Sequence, residues 1–308
     1  MILHGPVLGA ALGTLFTLST LVLGTHYRHN LPLVSMQSGA LGFLGAIVHT
    51  VVARHALRTT THAPGANAGL LLGTSLAAYT LMQRVPHDAV LTHFSPASTL
   101  PTSIGAILQE RGTPLFVLGY LLVFAGIFVF PVYTVAVLTA AAAPVAASTG
   151  TWVVVATLCT AALSACVSAN PAVRKRIGPV NMFVAASVFS AAASVVPAYM
   201  RDSTSGLVCG AAYGIGLGAV LALHVKVTTV FHGDKGVWLP DMSARAAMMM
   251  ALAGGSACAG IIVSAIVMES VQNGVQIVAC VAAGCLGLGG VLIALGRWRR
   301  CRRFYVAI

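Results

Sequence analysis

Nine stretches of this chain run for about 20 residues or more without a Lys, Arg, Asp or Glu, and that is the length a helix needs to cross the roughly 30 Å hydrocarbon core of a bilayer. They lie at 6–24, 33–53, 64–83, 115–140, 151–169, 180–200, 206–225, 246–268 and 274–296. A charge at the centre of a crossing helix costs about 2.5 to 3.5 kcal/mol on insertion scales, so confining charge to the connections is the pattern that insertion demands. A soluble chain of this size would instead need polar faces against water. With 58% hydrophobic and 7% charged residues, there is no material for them. The sequence therefore predicts an all-α, polytopic transmembrane helix bundle over residues 1–296, followed by a basic tail at 297–308.

The net charge of +11 then concerns orientation. A nucleic-acid binder gathers its basic residues on one soluble face, whereas here they are dispersed among short connections, so no nucleic-acid partner is expected. With nine spans, one side carries Arg28, Arg84, Arg111, Arg174, Lys175, Arg176, Lys226, Lys235, Arg245 and the five arginines after the last span. The other carries Arg54, Arg58 and Arg201. Short cytoplasmic loops are rich in Lys and Arg, which puts the carboxyl terminus in the cytosol. Residues 88–108 (DAVLTHFSPASTLPTSIGAIL) are a tenth candidate, interrupted by Pro96 and Pro101. Inserting them moves Arg54 and Arg58 inside and Arg28 and Arg84 outside, so the ratio is unchanged and charge alone does not choose between nine spans and ten. The first stretch lacks a basic leader region and a small-residue cleavage site, and reads as a retained span.

Chemistry within the spans is sparse. Intramembrane ionisable groups ordinarily mark ion pathways and proton relays, yet Asp88, Glu110, Asp202, Asp234, Asp241 and Glu269 all fall in or beside connections. His49 and His224 stand near span ends, at opposite faces of a nine-span bundle, which does not suit a pair of axial haem ligands. His26 and His29 form an HxxH without a carboxylate or cysteine to complete a metal site. Six cysteines (Cys159, Cys166, Cys209, Cys258, Cys280 and Cys285) lie in spans, so no disulfide framework is expected. There is no GxSxG, HExxH or phosphate-binding glycine loop. The reading is of a protein that is not an enzyme, with no catalytic residues, metal or cofactor.

Two features bear on contacts. Gly206, Gly210, Gly214 and Gly218 recur every four residues in the seventh span, as Gly5, Gly9 and Gly13 do in the first. Such stripes share one helix face and admit a neighbouring backbone, either within the chain or from another membrane protein or a second copy. The second feature is the run RWRRCRR at 297–303. Arg297, Arg299, Arg300, Arg302 and Arg303 are expected to attract anionic lipids of the cytoplasmic leaflet, with Trp298 at the interface. Cys301 is placed as a juxtamembrane palmitoylation site or as an unmodified cysteine in a stop-transfer anchor. Pro131 and Pro197 should kink the fourth and sixth spans.

The Ala/Thr/Ser-rich helices and bare basic tail, with stretches such as GALGFLGAIVHTVVARHAL (39–57) and GLVCGAAYGIGLGAVLALHVK (206–226), resemble the multispanning envelope proteins encoded in the long unique segment of alphaherpesvirus genomes. The resemblance implies a virion-envelope or host-membrane protein acting in envelopment, fusion modulation or trafficking. The competing expectation is a ten-span carrier of a neutral or organic solute, similar to drug and metabolite transporters. That reading requires residues 88–108 to insert and a polar midplane cavity, for which Gln37, Asn67 and the span hydroxyls are the candidates.

Overall fold

The computed structural model describes residues 31–59, 63–81, 108–139, 147–196, 203–232 and 242–300. Its elements are α1 (Leu31–Thr59), α2 (Ala63–Leu81), α3 (Thr113–Ile127), α4 (Val129–Thr139), α5 (Ala147–Ala169), α6 (Pro171–Ile177), α7 (Pro179–Val195), α8 (Ser203–His232), α9 (Met242–Ser270) and α10 (Gly274–Arg300). Among the described residues, all elements are helical. Five helical stretches are long and apolar enough to cross a membrane: Thr113–Leu138, Thr149–Ala169, Thr204–Thr228, Met248–Ser270 and Gly274–Arg300. They correspond to the expected spans 4, 5, 7, 8 and 9. Span 6 falls on α7, which α6 precedes at an 88° bend. Spans 2 and 3 fall on α1 and α2, which are not among these five; within α2, Ala68–Thr80 is a shorter apolar helix. Span 1, residues 88–107 and Pro197 lie outside the described residues.

Many large apolar side chains face outward, and small residues line the helix contacts around a core that includes Phe116, Phe183, Leu286 and Ile293. Leu72, Leu163, Val167, Ile262 and Ile266 are exposed, whereas Ala161, Ala165, Ser187 and Ser190 are buried. Lipid chains are as apolar as leucine, so outward leucines cost nothing, and helices associate by close packing of small residues.

Three glycine seams fix the arrangement. In the first, Gly210 of α8 lies over Val153 and Thr157 of α5, Gly214 over Thr157 and Thr160, and Gly218 over Ala161. One constant register joins them, so α5 and α8 run parallel, and the buried Gly206 begins the stripe. A Cβ at Gly210 would sit 2.7 Å from Val153 Cγ1. In the second, Gly112, Gly119 and Gly126 meet Gly296, Gly289 and Ala282 of α10 in antiparallel register. This seven-residue spacing suits a left-handed helix pair. A Cβ on either Gly119 or Gly289 would lie 2.6 Å from the other's carbonyl oxygen. In the third, Gly260 of α9 lies on Ala125 of α3, and the Ser256 hydroxyl donates to the Leu121 carbonyl at 2.6 Å. α9 thus runs parallel to α3.

Pro131 breaks the fourth span into α3 and α4. Its ring leaves the Ile127 carbonyl without the usual helical donor four residues on. The buried Tyr213 of α8 supplies one: its hydroxyl donates to the Ile127 carbonyl at 2.6 Å, and its ring stacks on Phe130 with centroids 4.3 Å apart. The Tyr133 hydroxyl donates to the Ile261 carbonyl of α9 at 2.7 Å.

Replacing Gly214 or Gly289 with Leu should abolish folded yield in detergent, because backbone blocks each new side chain. Gly254→Leu should be tolerated, since a Cβ there meets nothing within 4 Å; equal yields from all three variants would contradict the seams. Tyr213→Phe should lower stability by about 1 kcal/mol in reversible unfolding, the usual scale for an intramembrane hydrogen bond.

Candidate functional site

The helix directions gather most of the charge at one end. α3 starts there, where Gly112 meets Gly296 near the end of α10. α7 also starts there, because Gly290 of α10 lies on Ser187 and Val184, and Gly287 on Ala191. α5 and α8 finish there, and α9 begins there. The end therefore carries Arg111, Arg174, Lys175, Arg176, Lys226, Arg245, Arg297, Arg299 and Arg300, against the single described acid Glu110. At the other end, Arg54 stacks over Trp152, 5.8 Å from the ring centroid. The α9–α10 turn is also there, tightened by Asn273 at φ 65°.

Local sequence explains α6. The Asn170 side chain caps it by accepting from the Ala172 N–H at 2.9 Å, and Pro171 suits the first helical position, where no donor is needed. Gly178, at φ 83°, stops it, and Pro179 starts α7. Only a glycine takes that backbone conformation without strain. The result is a seven-residue helix carrying Arg174, Lys175 and Arg176 at a right angle to the helix it precedes. The connection between spans 5 and 6 was expected to be a simple loop, though the Asn-Pro and Gly-Pro pairs at its two ends are the signals that delimit this helix.

The end of α10 is clamped on two sides. Arg297 is only 4% exposed and donates to Asn181 Oδ1 of α7. Asn181 Nδ2 in turn donates to the Ile177 carbonyl at 2.8 Å. Arg300 approaches Glu110 at 3.7 Å. Arg297, expected on the membrane surface, is thus packed inside the bundle. The helix continues past residue 296, and its register turns this guanidinium toward α7. Trp298 and Arg299 are exposed. Cys301, Arg302, Arg303, Gly5, Gly9 and Gly13 lie outside the described residues.

Most described interior hydroxyls are bonded to helix carbonyls, whereas those of Thr113, Tyr120 and Ser190 are buried without a partner. Thr134, Thr157, Ser187, Ser194 and Thr228 donate to carbonyls of their own helices, at Phe130, Val153, Phe183, Ala191 and Val225. A cleft between α4, α7 and α10 is lined largely by apolar groups, Val129, Val137 and Val278 among them, beside Tyr133 and Ser194. Gln37 is exposed, and the Asn67 side chain lies outside the described set. His224 is buried, edge-on to Phe124 with centroids 6.0 Å apart. His49 lies well along α1 from Gly39, the residue that faces Ala222, so the two histidines stand at different depths. Among the described residues, no three His, Cys, Asp or Glu side chains converge as metal ligands.

No protein-family model matches the chain, and no curated protein does so either.

Asn181→Ala should destabilise the protein by about 1.5 to 3 kcal/mol in reversible unfolding, because it removes the acceptor of a buried, charged donor. The exposed Arg299→Gln should change stability by less than about 0.5 kcal/mol; equal effects would show that Arg297 is not held by this contact.

Proposed function

We propose that this chain is a non-enzymatic, multi-pass membrane protein of the virion envelope or host membranes, acting through contacts with other membrane proteins and with lipid. The observation that carries the proposal is the division between interior and end. Backbone contacts fill the seams, and many interior hydroxyls are bonded to helix carbonyls. The exchangeable charge is concentrated at one terminus of the bundle. A carrier of neutral solutes would place its recognition groups around a midplane cavity, and the described cleft between α4, α7 and α10 is lined largely by apolar groups. The alphaherpesvirus-like character of the sequence supports the envelope assignment, and roles in envelopment, fusion modulation or trafficking follow from that resemblance.

We also propose nine spans with the carboxyl terminus in the cytosol. Support comes from helix directions, which charge counting lacked. α1 runs antiparallel to α8, since Gly39 meets Ala222 while Arg54 reaches Trp152 on the parallel α5. α3 is antiparallel to α8 as well, by way of α10 and α7. α1 and α3 therefore point the same way, and the chain between them makes an odd number of crossings. α2 provides one. A further complete crossing by residues 88–108 would reverse α3.

An epitope inserted after Val85 should lie on the same side as a carboxyl-terminal tag, both accessible only after the membrane is opened to the cytosol; opposite sides would restore ten spans. Reconstituted into vesicles, the protein should give no saturable efflux of entrapped neutral or organic solutes, and a saturable flux would return the carrier reading.

A further inference from the structure

The α2 helix stands apart in this bundle. It packs on α1, and none of its described side chains is buried, whereas each of the other long helices contributes residues to the core. Gly65, Gly69, Gly73 and Ala77 recur every four residues along it and so share one face. A Cβ on any of the three glycines would meet nothing within 4 Å among the described residues. The same spacing in α8 is filled by the backbone of α5. Glycine is a poor helix former, and in hydrocarbon the close approach of a second backbone is what offsets it. Gly254 and Gly255 of α9 are open as well, but two adjacent glycines make no groove. Those of α2 leave one roughly 12 Å long, at 1.5 Å per residue.

Chain order selects the occupant. α1 begins at the basic end, and residues 60–62 alone separate its far end from α2, so Gly65 lies at the end remote from the charge. Residues 6–24 have the length and composition of a crossing, and residues 25–30 alone separate them from Leu31, where α1 begins. Six residues reach about 20 Å, so that crossing stands within two helix diameters of α1. It starts at the remote end and runs parallel to α2. Its own four-residue stripe, Gly5, Gly9 and Gly13, then falls at the depth of Gly65, Gly69 and Gly73, since each stripe occupies the beginning of its helix. The open glycines of α1, Gly42 and Gly45, stand near the middle of that helix and lack the spacing. Two such stripes side by side suit the right-handed crossing, at about −40°, of close glycine-mediated helix pairs. We infer that the open face of α2 is the docking surface for residues 6–24 of the same chain, with Gly5 level with Gly65, Gly9 with Gly69 and Gly13 with Gly73. This docking rests on the multi-pass reading, in which residues 6–24 cross the membrane.

The test is disulfide trapping of the full chain in membranes, with Gly9→Cys and Gly69→Cys introduced together, copper phenanthroline as oxidant and the linked peptides identified by mass spectrometry. A disulfide closes only where the Cα atoms come within about 7 Å. Residues 9 and 69 should be trapped within one chain, whereas Gly9→Cys with Leu71→Cys, on the opposite face of α2, should give no link. A yield for the first pair no greater than for the second overturns the inference. So does a link through Gly69→Cys between two chains, which would make a second copy the occupant. Should the paired variant fail to fold, Gly69→Leu and native mass spectrometry decide the matter: the expected result is a monomer whose folded yield is lost as in Gly214→Leu. A yield like that of Gly254→Leu leaves lipid on this face, and a dimer that Gly69→Leu dissociates again puts a second copy there; either overturns the docking. An epitope after Arg28 on the side opposite an amino-terminal tag shows that residues 6–24 cross, and absence of trapping in that case overturns the docking while leaving the multi-pass reading intact. Both on one side would remove the crossing and the docking with it.

Discussion

Helices in lipid gain nothing by hiding leucine from their surroundings, so a bundle is held by whatever lets backbones meet. In this chain that is the absence of side chains at chosen positions. Gly210, Gly214 and Gly218 set α8 on α5, Gly112, Gly119 and Gly126 set α3 on α10, and Gly260 sets α9 on α3. Everything else is referred to these registers, including the direction of each helix, the gathering of charge at one end and the depth of each polar group. Dispersion between closely approached backbones is weak per atom pair and large in sum.

The basic end shows how a charge pattern that guides insertion also becomes structural. Arg297 is drawn into the bundle by Asn181, and Arg300 lies against Glu110. A helix C-terminus favours cations through its dipole, so the last turn of α10 suits these arginines before any partner is present. Only part of the run read as a uniform surface tail is free to face lipid.

What could be read from the sequence follows the range of the interaction responsible. Apolar length is a local property, and the stretches containing α3, α4, α5 and α7 through α10 were legible from it. The four-residue glycine stripe of α8 was also visible, because it lies on one helix face. The seam of Gly112, Gly119 and Gly126 was less so. Its spacing is seven residues, and its partner is more than 150 positions away. Asn181 with Arg297 likewise joins residues 116 positions apart, and no local pattern announces it. α6 was legible in principle from Asn170-Pro171 and Gly178-Pro179, but its brevity hid it behind the search for spanning lengths.

Tyr213 sits on the glycine-striped helix, yet its hydroxyl serves the carbonyl that Pro131 leaves open on α3. The α5–α8 pair and the α3–α10 pair have separate seams and could melt as separate units. This one bond, with the Phe130 stack beside it, makes the broken helix of one pair complete only while the other pair is in place. Loss of either pair exposes an unsatisfied carbonyl in hydrocarbon, where water cannot replace the donor. The two halves are already joined through α7, which packs on both α8 and α10. The Tyr213 bond ties them more tightly into one unit, and the proline that weakens one helix adds a link between them.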